Sequence, residues 1–498
     1  MIPFGFQIPF KSSGCEDAPP VYSDRCSVVC DGLGGSGSRR HCKASEKGKT
    51  MEEHTSAYIG SRLVADCVTR FIDQNYDALQ TAACSQADGT ESIPGMLSRL
   101  KKEITADLER GMAEYRIPES AIRGRTFKVF PTTLAAAVYF PQGEETVVLG
   151  LWAGDSRIYL LTPDKGLQLL SRDDSDIADE MGSVSEMNNC ISADGDYWLN
   201  YAVYRLHSPQ AAVFCCSDGC FDMICSPMHL EWLWLYGMLN CNAEASGPET
   251  GTVIAESIRN KIYESPCDDT TMCGALIGMD STAAVKEVFG PRFESFNPAA
   301  KEMNKAYSDW KSADGTLQRL DKEQRLLASE ADQELKRMIF NAFKGDNTNP
   351  LYMLILNRSG IKPQNLFTAE RSRMMQAKLD NLLIAAEQLK DELQELYGAL
   401  KNRVMDLKQQ LQDRTLSERM VDMVYPDIRE DLLEDMTRLE PVNKELLPQS
   451  LRRYTEIITE RKQEMDRSSV ARAEVERLWE KYRINYQLFS TLTEKGEV

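Results

Sequence analysis

The sequence predicts an α+β fold followed by an all-helical region, and three observations carry that expectation. Short apolar runs of strand length, bounded by Gly, Pro or Asp, recur through roughly the first 280 residues. Two long amphipathic stretches of helical period lie among them. From about Pro298 onward cysteine disappears, glycine becomes rare, and Glu, Lys, Gln, Leu and Arg dominate. We therefore expect a mixed domain over 1–290 and a helical domain over 291–498.

Taken in order, "MIPFGFQIPF" has two prolines and no basic start, so it reads as a first strand and not as a signal peptide. "VVCDGLGGSG" (28–37) is a buried strand that ends on an acid and turns through glycines. Helices are expected over His54–Leu79 and Ile93–Tyr115. "TTLAAAVYF", "TVVLGLWAG", "RIYLL", "AAVFCCSDG" and "TMCGALIGM" supply further strands. Hairpin-like strand connections with grouped helices suggest sheets covered by helices. In the second region, Leu382, Leu389 and Leu396 are seven apart, as are Ala386, Leu393, Leu400 and Leu407. Interleaved, they make an imperfect heptad seam running on to Leu411, which predicts a long hairpin or coiled coil and suits either an intrachain bundle or a dimerising or partner-binding coiled coil. "KGDNTNP" (344–350) reads as a loop, and Lys444–Leu488 as a further helical tract.

Bulk properties exclude several classes. A formal net charge of −18 argues against a nucleic-acid surface. No apolar run is long enough for a transmembrane helix. The 14 cysteines all lie between Cys15 and Cys273 at irregular spacings, without a C-x-x-C pair, and only 4 histidines accompany them. Reduced thiols in a cytoplasmic protein are expected, not disulfides or zinc. The scattered histidines read as surface or packing residues.

The chemistry lies in acids at strand ends. Asp31 and Gly32 end one strand, and Asp218 and Gly219 end another, with Asp222 one turn later. Asp268 and Asp269 immediately precede a third strand. Asp155 sits in a tight turn between two more, and "SGCEDAPP" adds Glu16 and Asp17. One Asp-Gly is adequately explained as a turn. Several strand ends offering carboxylates in one domain suit a cluster that binds hard cations, Mg²⁺ or Mn²⁺. Two such ions about 4 Å apart can hold a phosphate and generate a hydroxide.

The motifs "ED" (16–17), "DGLGG" (31–35), "TTL" (132–134), "AGDSRIYLL" (153–161), "RDDS" (172–175), "CSDGCFD" (216–222) and "DDTT" (268–271) resemble, in order and wording, the metal-dependent protein phosphatase family, also called protein phosphatase 2C or PPM. The resemblance covers about residues 5–280. It implies two packed antiparallel sheets flanked by helices, with a two-metal site in a cleft at one end. It also implies hydrolysis of phosphoserine and phosphothreonine in phosphoproteins by metal-activated water, with two Mn²⁺ or Mg²⁺ ions and, in many members, a weaker third.

Carried over by motif, Asp31 resembles the acid bridging both metals, with the Gly32 carbonyl a ligand. Asp218 and Asp268 resemble ligands of one ion, and Glu16 and Asp17 the pair holding the other. Asp155, supported by Asp222, matches the third position. "DDTT" has Asp269 where the family commonly has Asn, so the ligand is Asp268 or, one place on, Asp269. The family's phosphate-clamping arginine before the acidic pair is missing, and Lys11 is the nearest cation. Leu33 stands where some members have a histidine. The basic segment 36–49 reads as a solvated loop that can also lend positive field. The alternative to an enzyme is a weak or inactive phosphatase-fold scaffold acting through its helical domain. That domain is where a protein partner or self-association is expected. A chain ending near Asn297 is expected to keep activity on a small aryl phosphate.

Overall fold

The computed structural model describes the chain except residues 11–13, 43–52, 85–90, 118–127, 144, 175–186, 207, 223, 225, 265, 367–368, 389, 391–393, 413–414 and 487–498. Strands β1 (Ile2–Ile8), β2 (Val21–Tyr22), β3 (Cys26–Val29), β4 (Arg40–His41) and β5 (His54–Thr55) precede helices α1 (Ser56–Cys84) and α2 (Ile93–Glu114). Then come β6 (Leu134–Gln142), β7 (Glu145–Ala153), β8 (Arg157–Thr162), β9 (Gly166–Leu169), β10 (Asn200–Leu206) and β11 (Ala211–Cys216). Helices α3 (Pro227–Leu239) and α4 (Glu249–Ile262) lead into β12 (Thr270–Ile277). The rest is helical: α5 (Thr282–Phe343), α6 (Tyr352–Ser359), α7 (Ala369–Glu387), α8 (Gln394–Gln412), α9 (Thr415–Thr437), α10 (Pro441–Glu445) and α11 (Gln449–Tyr486).

Two five-stranded antiparallel sheets form, in the orders β1-β12-β11-β8-β9 and β10-β7-β6-β3-β2. The alternation of β6 shows how they are used. Ala135, Ala137 and Tyr139 enter the core between the sheets with Val213, Cys215 and Cys273. Leu134, Ala136, Val138 and Phe140 face the other way, onto Val64, Val68 and Phe71 of α1 and Leu100 and Ile104 of α2. A strand buried on both faces shows little polar alternation, which is why these strands read as continuous apolar runs. The expected sandwich is present. Strand β10 and the short β2, β4, β5 and β9 were not anticipated; "NYAVYRL" is more polar than its neighbours and β2, β4 and β5 are two residues each.

The chain packs as two compact units, Met1–Tyr307 with Ala473–Val498, and Ser308–Arg472. The division expected at residue 290 thus falls inside α5, and the end of α11 belongs to the sheet-containing unit. Within that unit the Tyr482 hydroxyl donates to Glu231 of α3 at 2.7 Å. The hairpin expected over Leu382–Leu411 falls on two helices, α7 ending at Glu387 and α8 starting at Gln394, and the two pack against each other. Leu382 and Leu396 are exposed, while Val404 is buried. Leu389 and Leu393 lie outside the described residues. The core of the Ser308–Arg472 unit is built from α5, α6, α9 and the start of α11. No described helix is long and apolar enough to cross a membrane, and every described cysteine is free.

Candidate metal centre and active-site cleft

Each acid is delivered by a strand and then held by hydroxyl and backbone partners. Buried β3 runs into Asp31, whose carbonyl accepts the Thr132 hydroxyl at 2.6 Å and the Thr133 amide at 2.9 Å. Thr133 Oγ1 in turn pairs with Ser156 at 2.6 Å, beside Asp155. The "TTL" motif therefore ties the Asp31 turn to the β7–β8 turn. Gly32 bridges to Thr132, and a Cβ there would strike the backbone oxygens of Glu16 and Ala57. A Cβ at Gly34 would fall on the Glu16 carboxylate. Glycine is needed here because the acidic loop passes so close.

At the end of β11 the chain makes one 3-10 turn over Asp218–Cys220. Ser217 exchanges backbone and side-chain hydrogen bonds with Thr271, which joins this turn to the start of β12. Gly219 lies against the Asp269 carbonyl, with no room for a Cβ. The Asp222 amide closes the turn onto the Asp218 carbonyl at 2.9 Å.

These elements enclose a cleft of about 1000 Å³ bordered by Glu16, Asp17, Asp31, Gly32, Asp218, Asp268 and Asp269. Their charges interact. Burial first, then Asp17 and Asp155, push the Asp31 carboxyl well above the carboxylate range. Burial and then Asp31 and Asp155 do the same to Asp218. Burial, with contributions from Asp269 and Asp218 and against hydrogen bonds from Thr271 and Asp31, raises Asp17 to about 8. Asp155 rises to about 6 through burial and then Asp173. Desolvation raises Asp222 as well, with Asp173 and Asp268 adding to it against Arg157. Buried like charges hold protons until something positive replaces them.

The two acids of "DDTT" separate in role. Asp269 accepts the Phe10 amide at 2.7 Å and the Glu16 amide at 2.6 Å, one on each oxygen. An asparagine could accept only one of these, because its NH₂ cannot. Asp268 is exposed in the cleft, and its carboxylate accepts only the Asp269 amide at 2.8 Å among the described bonds. Asp269, Asp17 and Cys15 also lie close enough to share a cation. Burial, Asp17 and Asp269 raise the Cys15 thiol far above its ordinary value, so it is a protonated, poor ligand.

Several supporting residues carried no signal strong enough to single them out. Arg62 donates to the carbonyls of Cys15, Glu16 and Tyr58. Asp173 of "RDDS" takes the Arg157 guanidinium in a fork. Asp174 accepts the Gly154 amide at 2.9 Å, Asn189 at 2.6 Å and Asn200 at 3.0 Å. Gly154 has φ +91° and sets the Asp155 turn. "RDDS" was visible as a motif, but its partners lie 15 to 26 residues away in sequence. His54 stacks on Tyr58 at 4.1 Å and borders the cleft, where no more than a surface or packing place was expected. Lys11 lies outside the described residues.

One consequence concerns the protein without metal. The folded state holds a proton on Asp17 up to about pH 8 that the unfolded chain releases near its ordinary value of 3.8. Stability is therefore fully present at the acid end and is lost as pH rises through that window. Protein treated with EDTA should melt at a lower temperature at about pH 8 than at about pH 5.5. Saturating Mg²⁺ should remove most of that difference. Scanning fluorimetry at both pH values checks this, and equal melting temperatures without metal would contradict the electrostatic reading.

Residues 15–250 match the sequence model of the Protein phosphatase 2C family. No curated protein sequence matches the chain. Similar solved structures include PppA, described as a key regulatory component of T6SS in Pseudomonas aeruginosa. It is 17% identical, with 55% of this chain and 97% of that chain covered and a TM-score of 0.32. The PPM Ser-Thr phosphatase MsPP from Mycobacterium smegmatis is 13% identical, with 55% and 97% covered and a TM-score of 0.36. Serine/threonine phosphatase Stp1 from Staphylococcus aureus is 17% identical, with 56% and 95% covered and a TM-score of 0.36. With the motifs in family order and the family match spanning residues 15–250, this region of the chain is of the protein phosphatase 2C (PPM) family.

Proposed function

We propose that the chain is a metal-dependent serine/threonine protein phosphatase. The observation that supports this best is a pair of orphaned atoms. Asp17 Oδ2 and Asp155 Oδ1 are buried oxygens with no hydrogen-bond partner among the described residues. An unpaired buried carboxylate oxygen is costly unless a cation meets it. The donor set around them is all oxygen, which fits Mg²⁺ or Mn²⁺. Asp31, the Gly32 carbonyl, Glu16, Asp17, Asp218 and Asp268 would hold two ions, and Asp155 with Asp222 a third. Asp269 is spent on two backbone amides, which favours Asp268 as the ligand. When bound, the ions supply Lewis acidity, lowering the pKa of water and offsetting phosphate charge.

The chain's own residues do the rest. Asp269 and Arg62 fix the loop carrying Glu16 and Asp17 from opposite sides of its backbone chemistry, one accepting amides and one donating to carbonyls. Thr132, Thr133 and Ser156 hold the Asp31 and Asp155 turns in register. Leu33 offers no proton, so no side chain directly after Asp31-Gly32 protonates a leaving group. A phosphorylated serine or threonine in a protein is the substrate class this reading implies.

Metal removal tests it. Full-length protein should release phosphate from p-nitrophenyl phosphate and phosphoserine peptides with Mn²⁺ or Mg²⁺, and EDTA should reduce this to background. Phosphate release that survives EDTA would remove the metal assignment. An absence of turnover on every substrate with either ion would favour the scaffold alternative.

A further inference from the structure

We propose that Arg40 is the phosphate-recognising cation of this cleft, a role the family places elsewhere and this chain leaves vacant before its acidic pair. The inference rests on the phosphatase reading above and adds the residue that meets the substrate's dianion. After the Asp31 turn the chain runs out through β4 and returns through β5, so the basic segment is partly a hairpin and not only a solvated loop. The hairpin root is tied down. The Gly37 amide donates to the Leu33 carbonyl at 2.8 Å, Ala57 to Gly37 at 3.1 Å, and Ser56 to Arg39 at 2.7 Å.

In the two-residue ladder Arg40 lies opposite Thr55 and His41 opposite His54. Cross-strand partners share a face, and both Arg40 and Thr55 border the cleft. His41 packs edge-on against buried Phe130, with ring centroids 6.5 Å apart. The ribbon is thus anchored through His41 and aimed through Arg40.

Charge makes the case specific. The described residues bordering the cleft include Glu16, Asp17, Asp31, Asp218, Asp268 and Asp269, and Arg40 is the one Lys or Arg among them. Other guanidinium groups nearby are committed. Arg62 is spent on three backbone carbonyls and Arg157 on Asp173. Arg40 is exposed and has no ion pair to any described residue. A planar fork matches two phosphate oxygens at once, which a lysine point charge does not. Sequence alone pointed to Lys11 because it precedes the acids; the fold returns residue 40 to the same cleft by way of the β4–β5 pair.

The test uses the full chain with Arg40→Ala and Arg40→Lys. Two readouts are taken: KM and kcat for a phosphoserine peptide with Mn²⁺, and inorganic phosphate binding to the Mg²⁺-loaded protein by calorimetry. Arg40→Ala should raise KM and the phosphate Kd by about 10- to 100-fold, as loss of a hydrogen bond to a charged group would. KM should rise more than kcat falls, and Arg40→Lys should recover part of both effects. Melting temperatures should match the wild type, since the side chain is exposed and has no ion pair among the described residues. Unchanged KM and Kd in Arg40→Ala would overturn the proposal. So would equal losses in both variants accompanied by a lowered melting temperature, which would mark a structural role. A wild type that hydrolyses nothing but binds phosphate in an Arg40-dependent way would support the subsite while removing the phosphatase reading.

Discussion

Asp31→Asn and Asp218→Asn should each lower phosphate release by at least about a hundredfold, because each removes one charge from a clamp built on shared carboxylates. They should do so without unfolding the protein. The amide keeps the shape, and the strands that deliver both residues are buried independently of the carboxylates. The distinguishing sign lies in stability. Burial and neighbouring acids push both carboxyls well above their usual range, so removing a charge relieves repulsion in the metal-free state. At about pH 8 the EDTA-treated variants should therefore melt at or above the wild-type temperature. Their stabilisation by Mg²⁺ should shrink at the same time. Inactive variants that also melt far lower would mean that these acids serve the fold. Variants with full activity would sink the site assignment.

Cutting the chain after Asn297 should cost the sheet-containing unit its stability, contrary to what the heptad pattern suggested. Glu231 is fully buried. It accepts Arg292 at 2.8 Å, the Leu167 amide at 2.9 Å and the Tyr482 hydroxyl at 2.7 Å. Trp479, Tyr482 and Tyr486 are buried beside one another. Tyr482 also packs on Phe296. Removing three buried aromatics at about 1.5–3 kcal/mol each takes away a large part of a typical domain stability of about 5–15 kcal/mol. The truncated protein should be insoluble or lack a cooperative melt. Because truncation can fail for trivial reasons, Glu231→Ala in the full chain is the second arm. It leaves Arg292 without its buried partner and should cost about 3–5 kcal/mol. Urea denaturation measures that cost. A soluble truncation melting like the full chain, or a Glu231→Ala cost within experimental error, would restore the picture of two separable modules.

Residues near one another in sequence were readable, because their physics is local. Asp31-Gly32, Asp218-Gly219 and Asp155 could be placed at strand ends from apolar runs and turn residues alone, since burial and turn formation act over a few positions. The order of those motifs carries the family resemblance, which implied two antiparallel sheets, and the acids themselves led to the expectation of an oxygen-donor metal site. Heptad spacing indicated helices that pack together, but not which leucines they bury, for the same local reason. It records where leucines fall, but not that α7 ends at Glu387, that α8 starts at Gln394, or that Leu382 and Leu396 are exposed.

Pairings between distant positions were set by folding alone. Asp269 meets the amides of Phe10 and Glu16 across more than 250 residues, which separates it from its neighbour Asp268. Arg40 reaches the cleft only because β4 pairs with β5. Tyr482 belongs to the sheet-containing unit only because α11 carries it to Glu231, 251 residues earlier in the chain. A hydrogen bond or a buried charge pair is a property of two groups and the medium between them. The sequence names each group, and folding decides which of them lose water together and so must satisfy one another.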